Sequence, residues 1–541
     1  MRNFLVFIVI ILLISPLWQC ARRGRPTGGP KDSIPPIMIT AEPPFSTVNF
    51  KAKKIKIHFD EFIKLNKVGQ QLIVSPPLKY KPIITPLGSA SKEIDIEILD
   101  TLKPKTTYIF NFGTSVRDNN EGNVLYNFKY VFSTGNYIDS LSLKGTMQDA
   151  LNNEPDKEVA ILLYRIDSTY NDSIIYKGLP NYIANTLDTV VWNISNIKAG
   201  QYLLAAMKQK NYDYKFKPKS DKIAFYPELI DIPVDSTASF NLSLFKEVLN
   251  YKLARPSETK KQHIVFGYDG IANDLQVELL SKVPEDFKSF KAFEKDKDTL
   301  NYWFNTKEEL DSLKFKITNK SIKDTTYIDT VTVKLRAKSF DSIIIGSNTR
   351  SKITLDEDLI MASNQPFTAV DTSKITIIDK DSLKVPFRAK ISEFKNEVVF
   401  KFDKTPNNSY NLLMLPKALT SFYQKSKDTV KYKVSTKKLS DYGTFIITLE
   451  EVKSYPIIVQ VTNKKGRVIK SKYIEQGNKI EFKNLNPAKY FIRAIYDTNK
   501  NKKWDTGNFL KKLQPEKVIY FPKELNLRAN WIDQENFNIS Y

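Results

Sequence analysis

The sequence predicts an all-β protein made of tandem β-sandwiches, and three observations carry the prediction. Polar and apolar residues alternate with a period of two in many segments. Examples are Lys54-Ile55-Lys56-Ile57-His58-Phe59-Asp60, Leu313-Lys314-Phe315-Lys316-Ile317 and, with one slip, Glu397-Val398-Val399-Phe400-Lys401-Phe402-Asp403. Successive side chains of a strand point to opposite faces, so this pattern buries one face and wets the other. Turn clusters such as Asp118-Asn119-Asn120-Glu121-Gly122 and Asn407-Asn408-Ser409 separate the runs. No segment shows a long heptad or the apolar spacing of a multi-turn helix. Short strands with frequent turns point to sandwiches. At 541 residues, 41% hydrophobic and 12% aromatic, the chain is too long for one core and too apolar for disorder.

The order begins with Met1-Arg2-Asn3 and an apolar run from Phe4 to Ile14. A positive start followed by a short apolar core is the pattern of an export signal, and the run is short of the roughly 20 residues that span a bilayer. Ser15-Pro16 breaks it, and Leu17-Trp18-Gln19-Cys20 follows; Cys20 is the only cysteine. A lone Cys directly behind an export signal resembles a bacterial lipobox, with Trp18 and Gln19 bulkier than the small residues usual there. The resemblance implies that residues 1–19 are a signal peptide and that Cys20 receives diacylglycerol, becomes the mature N-terminus and anchors the chain in a membrane. With no second cysteine there is no disulfide, so stability has to come from packed cores. Residues 20–32 then read as the lipidated Cys and a flexible tether, because Ala21-Arg22-Arg23-Gly24-Arg25-Pro26-Thr27-Gly28-Gly29-Pro30 cannot bury apolar surface. Its arginines suit anionic head groups, at about 1 kcal/mol each near the surface.

Lys and Arg number 82 against 60 Asp and Glu, a formal charge of +22. A basic cytoplasmic protein would suggest nucleic acid. The export signal argues against that partner, and the lysines alternate along strands rather than forming an arginine-rich arm. The expectation is no nucleic acid and a solvated, lysine-rich surface, with anionic lipid, acidic polysaccharide or an acidic protein face as the charged partners open to it.

Residues 33–136 open with Pro35-Pro36, followed by the strand Ile55–Phe59 and its acidic corner Asp60-Glu61. Then come Leu102-Lys103-Pro104-Lys105-Thr106-Thr107-Tyr108, Asp118-Asn119-Asn120-Glu121-Gly122-Asn123 and Tyr130-Val131-Phe132-Ser133-Thr134-Gly135. This order resembles a bacterial Ig-like domain of the SbsA type. Tyr108, Phe110 and Phe112 would share one face of a strand started by the Leu-Lys-Pro turn. With the lead Gly28-Gly29-Pro30-Lys31-Asp32, the chain resembles the Ig-domain lipoproteins of Bacteroidota. That likeness implies the outer membrane, on either its periplasmic or its outer side, and no particular activity.

An internal duplication follows. Asn196-Ile197-Lys198-Ala199-Gly200-Gln201-Tyr202-Leu203-Leu204-Ala205-Ala206 aligns with Asn484-Leu485-Asn486-Pro487-Ala488-Lys489-Tyr490-Phe491-Ile492-Arg493-Ala494; a polar loop and an aromatic–Pro pair, Tyr226-Pro227 or Phe521-Pro522, come after each. The pattern resembles prealbumin-like β-sandwiches, so 139–248 and 440–541 are expected to be two copies. Residues 343–438 repeat the acidic-corner theme in Thr354-Leu355-Asp356-Glu357-Asp358-Leu359 and are expected to be a second Ig-like domain. Residues 260–341 read as a β-domain of unclear type.

Little of the sequence suggests catalysis. The 2 histidines, His58 and His263, lie in different domains, and His58 is expected on the solvated side of its strand. No nucleophile elbow, phosphate loop or H-E-x-x-H motif occurs. One loop is more specific. Asp497, Asn499, Asn501 and Asp505 have the spacing that opens an EF-hand-type calcium loop. Lys500, Lys502 and Lys503 add positive charge, position six is Lys502 rather than Gly, and position twelve is Asn508 rather than Glu. An Asx-rich hairpin that caps its own backbone is therefore favoured over a calcium site. In the first copy Gln209, Asn211 and Asp213 are followed by Lys217 where the acid should be. The expected function is a non-enzymatic, lipid-anchored structural or binding scaffold, with an accessory role in an outer-membrane protein complex. The alternative is a glycan-binding surface protein using Trp303, Trp504 and Trp531, and no cofactor is expected beyond the calcium loop.

Overall fold

The computed structural model describes residues 31–540, apart from Thr169, Asp188, Asn273, Asp296, 321–325, Asp341 and 425–427. Cys20, the leader and the tether to Pro30 lie outside the described residues. The chain is nearly all β, as expected, and divides into two compact units. The first runs up to Leu141 and takes in Asn181–Ile183 and Ser195–Lys198; the second holds the rest.

In the first unit one sheet runs in the order Met38–Glu42, Lys54–Leu65, Ser91–Glu97, Ile83–Thr85, with Val116–Asp118 also on Lys54–Leu65; Ile73–Ser75, Thr107–Asn111 and Lys129–Ser133 make the other. The alternation read from Lys54 onward puts Ile55, Ile57, Phe59 and Ile63 between the sheets. They face Tyr108, Phe110, Phe112, Tyr130 and Phe132, and Phe50 stacks on Phe132 at 3.8 Å between ring centroids.

The outer face of the same strand carries an ion-pair ladder. Lys56 Nζ lies 2.9 Å from Glu93 and 3.7 Å from Asp95, and Lys54 lies 4.0 Å from Glu97. This ladder corrects the reading of His58 as a freely solvated residue: its side chain is half-buried, with Nδ1 3.2 Å from the Glu93 carboxylate. The neighbouring strand, out of sight in a local pattern, supplies that acid.

The Leu-Lys-Pro turn closes on the core through Tyr108, whose hydroxyl accepts the Lys103 N–H at 2.8 Å, with Lys105 at φ 49°. The same corner recurs in the second unit, where the Tyr410 hydroxyl accepts the Thr405 N–H at 2.7 Å and Asn407 stands at φ 54°. The shared pattern is a Pro four residues before a buried Tyr.

In the second unit two sandwiches have matching connections. Ala160–Arg165 pairs antiparallel with Gly200–Lys208, which also carries Lys222–Phe225 and Ile230–Ile232, while Ser239–Leu244 lies parallel to Leu141–Asp149. In the last segment Ile457–Thr462 pairs with Ala488–Tyr496, which carries Val518–Tyr520 and Leu525–Leu527, and Ile532–Asn538 lies parallel to Gly443–Glu450. The two segments share one order of strands. Between them, His263–Asp269, Thr299–Asn305 and Lys288–Phe293 oppose Gln276–Leu279, Ser312–Lys320 and Thr326–Lys334 around Phe266, Tyr302 and Phe315. Leu359–Ser363, Glu397–Phe402 and Phe387–Ile391 oppose Ile375–Ile378, Ser409–Met414 and Val430–Ser435 around Met361, Phe400 and Leu412.

Candidate functional site

The duplicated turn delivers the two candidate loops. Asn196 and Asn484 both take the left-handed conformation, at φ 59° and 55°, a region that Asn tolerates better than most residues. Each strand that follows begins with a buried Tyr in the same register: Tyr202 opposite Ile230, and Tyr490 opposite Leu525. The strands end at Lys208 and Tyr496, and the loops start there.

The second loop does gather Asp497, Asn499, Asn501 and Asp505, and its oxygens are engaged by donors of the loop itself. The buried Asp497 carboxylate accepts the N–H of Asn501 at 3.1 Å and of Lys502 at 2.8 Å. Asp505 Oδ2 accepts the side-chain amides of Asn499 and Asn501, both at 2.6 Å, and Asn501 Oδ1 accepts the Lys503 N–H at 2.8 Å. Lys502, at the sixth position, stands at φ 66°, the conformation a glycine would adopt freely. Its ammonium lies 5.1 Å from the centre of the Tyr473 ring.

Sequence reasoning passed over the residue that closes this loop. Glu516 accepts the Thr498 N–H at 2.7 Å, the Thr498 hydroxyl at 2.9 Å and the Asp505 N–H at 3.0 Å. In the first copy Asp221 does the same, accepting the Lys217 N–H at 2.9 Å and the Gln209 amide at 3.0 Å. Lys217 turns its ammonium onto Asp213, so a built-in cation already sits on that carboxylate. Burial opposes the Asp213 charge, yet the hydrogen bond from Lys217 prevails and holds its carboxyl below the usual range. The signal available in the sequence was an acid five residues before the aromatic–Pro pair in both copies. Replacing Glu516 with Ala should cost about 2–3 kcal/mol, since hydrogen bonds to a charged group are among the stronger ones and three donors are stranded. Hydrogen exchange at Thr498 and Asp505 reads this out; unchanged protection there would refute the closing role.

The copies differ in length after this point. Ten residues separate Asp505 from Glu516 and three separate Lys217 from Asp221, an excess of seven. The longer segment docks on the first sandwich of the unit, which means that the two copies pack on each other and are not simply strung end to end. Asn508 and Leu513 pair, with Phe509 at the tip of the small hairpin. Phe509 is fully buried, 5.2 Å edge-on to Phe225, and its N–H donates to Glu247 at 2.5 Å. Burial pushes the Glu247 carboxyl above its usual range, against the pull of that N–H. Thr506 bonds the Lys246 carbonyl at 2.8 Å and Gln514 the Phe225 carbonyl at 2.9 Å. Gly507 permits the approach, because a Cβ there would lie 2.6 Å from both the Phe245 ring and the Leu513 carbonyl oxygen. Beside it the buried Arg493 donates to Gln460 and to the Leu151 carbonyl, each at 2.8 Å.

The tryptophans named for glycan binding are placed unequally. Trp303 is buried, stacked on His263 with 4.9 Å between ring centroids, and belongs to packing. Trp504 is half-buried and donates to the Glu516 carbonyl at 3.1 Å. Trp531 is 54% exposed, with the Arg528 guanidinium 4.9 Å from its ring centre. Among the described residues no group of three or more His, Cys, Asp or Glu side chains could hold a metal ion, and no helix is long and apolar enough to cross a membrane.

These features define a multi-sandwich protein whose first domain has a known family. Residues 32–134 match the bacterial Ig-like domain family. No curated protein matches the chain. Among solved structures, the S-layer protein rSbsC is 13% identical, with 92% of this chain and 68% of that one covered at a TM-score of 0.16. SGBP-B of a Bacteroides ovatus mixed-linkage glucan utilization locus, solved with a mixed-linkage heptasaccharide, is 10% identical over 71% of this chain and 93% of its own, at a TM-score of 0.17. TM-scores this low give neither an arrangement nor a function to this chain.

Proposed function

We propose that the chain is a non-enzymatic envelope lipoprotein, anchored through Cys20, that serves as a structural or binding scaffold and as an accessory subunit of an outer-membrane protein complex. The observation that carries this reading is the lone Cys20 directly behind an apolar leader, in a chain whose described remainder is sandwich after sandwich. The bacterial Ig-like match at 32–134 supports an envelope setting. A Cys20→Ala protein should lose its lipid and move to the soluble envelope fraction; membrane retention equal to wild type would sink the anchor. Crosslinking and pull-down from native membranes should recover a membrane barrel. Recovery of glycan alone would favour the alternative reading, for which Trp531 is the exposed indole.

The loop 497–505 is read as a self-capped hairpin. Millimolar calcium is therefore expected to leave the thermal transition unchanged, because only a ligand that prefers the folded state raises it. A rise in melting temperature that is lost in Asp497→Asn would make the loop a calcium site instead.

A further inference from the structure

The sheet formed by Gln276–Leu279, Ser312–Lys320 and Thr326–Lys334 ends on a nine-residue strand whose far side has no strand partner among the described residues. Which of its backbone groups face outward follows from the ladder. The Leu335 N–H donates to the Asp311 carbonyl at 2.8 Å, and the pairing Leu313↔Val333, Phe315↔Val331, Ile317↔Asp329 continues without a bulge. The odd-numbered residues therefore bond inward, and the N–H and C=O groups of Thr326, Ile328, Thr330, Thr332 and Lys334 point away from the sheet. A long edge of this kind is a template for another strand.

The C-terminal end of the edge abuts Ser257–Lys260, where Glu258 accepts the Arg336 and Ala337 N–H groups at 2.7 Å, and along the rest of the strand the devices that usually blunt an edge are few. The strand has no Pro and no bulge, and Ile328 is 62% exposed. Asp329 is the exception, its Oδ1 accepting the Thr330 N–H at 2.7 Å while Oδ2 takes the Tyr327 hydroxyl at 3.0 Å. It covers the middle donor and leaves those of Ile328 and Thr332. Inside the edge the core is incompletely closed. Val331 is half-buried, Tyr251 lies 5.1 Å from Tyr327 between ring centroids, and the buried Tyr251 hydroxyl has no hydrogen-bond partner among the described residues.

We propose that this edge is a strand-addition site for an extended, acidic segment of a partner protein. Charge selects the occupant. The solvated side of the sheet presents Lys314, Lys316, Lys320 and Lys334 against Glu278. Lys320 has Asp274 at 3.9 Å, and the remaining excess is basic. An added strand would place alternate side chains on that side, beside Lys334 and across Thr332 and Thr330 from Lys314 and Lys316 one strand further in, and the others over Val331 and Tyr327. A carboxylate opposite Lys334 would be stabilised as a cross-strand pair, and the long side chains of Lys314 and Lys316 reach toward the added strand, favouring acids and opposing bases there. A second copy of this chain would bring its own lysines to the same side and is disfavoured. Backbone pairing supplies affinity and the alternating side chains supply selectivity. The assignment stands on the strand itself and holds whether or not Cys20 is the anchor.

The test uses the full chain with two nine-residue peptides, one alternating Glu and Val and the other Lys and Val. Fluorescence anisotropy should show the Glu peptide binding at least ten-fold more tightly, and hydrogen exchange at Ile328 and Thr332 should slow in its presence. Thr332→Pro removes an outward N–H without touching an inward bond, so it should weaken binding at least ten-fold. N-methylation of alternate peptide residues blocks the same bonds from the other side and does not depend on the variant folding. Equal binding of the two peptides, indifference to N-methylation, or self-association of the wild type that Thr332→Pro abolishes would overturn the proposal, the last by making a second copy the occupant.

Discussion

Phe509→Ala is expected to cost about 3–5 kcal/mol, the range for truncating a buried Phe. The side chain is fully buried, yet it belongs to the seven-residue excess of the last sandwich and is covered by the first. Losing it empties a contact between two domains and removes little from either domain's own core. The loss should therefore appear as separation of the two sandwiches before either one melts. Hydrogen exchange in 505–514 and proteolysis of that segment should accelerate, while exchange at Phe445 and Leu204, in the two cores, should change little. The surrounding ion pair of Lys512 with Asp172, at 2.7 Å and about 40% exposed on both sides, cannot compensate, because exposed pairs contribute about 0–1 kcal/mol. If the variant matched wild type in both measurements, the contact of Phe509 with Phe225 would not be what holds the copies together.

Ile57→Ala should cost about 2–5 kcal/mol in the first domain, by lost transfer energy and the cavity left behind. Ile57 is fully buried in the middle of its strand, paired with Ala41 on one side and Ile94 on the other. Lys56→Ala on the opposite face should cost far less, since its partners Glu93 and Asp95 are themselves part-exposed. Thermal melting of the two variants checks the contrast. Equal losses would mean that the strand's two faces are not divided between core and solvent as its alternation demands.

Both variants show where the sequence was legible. The alternation at 54–59 depends on nothing beyond the period of a strand, so Ile55, Ile57 and Phe59 could be assigned to a core with no knowledge of what covers them. The Asn–Tyr turn of the duplication was legible for the same reason, because a left-handed Asn and a buried Tyr are set by adjacent residues and recur at 196–202 and 484–490. The Pro–Tyr corners at 104–108 and 406–410 are equally local, whereas the acidic residues near them are common in every turn and identify no particular one.

The sequence by itself determined the fold class, the buried face of the clear strands and the repeated Asn–Tyr turn, because each follows from interactions within one segment of chain. Tertiary structure alone decided the fate of the polar-looking stretch Thr506-Gly507-Asn508-Phe509-Leu510-Lys511-Lys512, whose Phe is covered by Phe225 and Glu247, the nearer of them 262 residues away in the sequence. It also placed the donors at 497–505, where the spacing suits a cation and the Asp497 and Asp505 carboxylates accept hydrogen bonds from neighbouring N–H groups. Spacing says which atoms can converge. Which donors stand beside them depends on the folded chain, and a buried acceptor left without a donor costs about 1–3 kcal/mol.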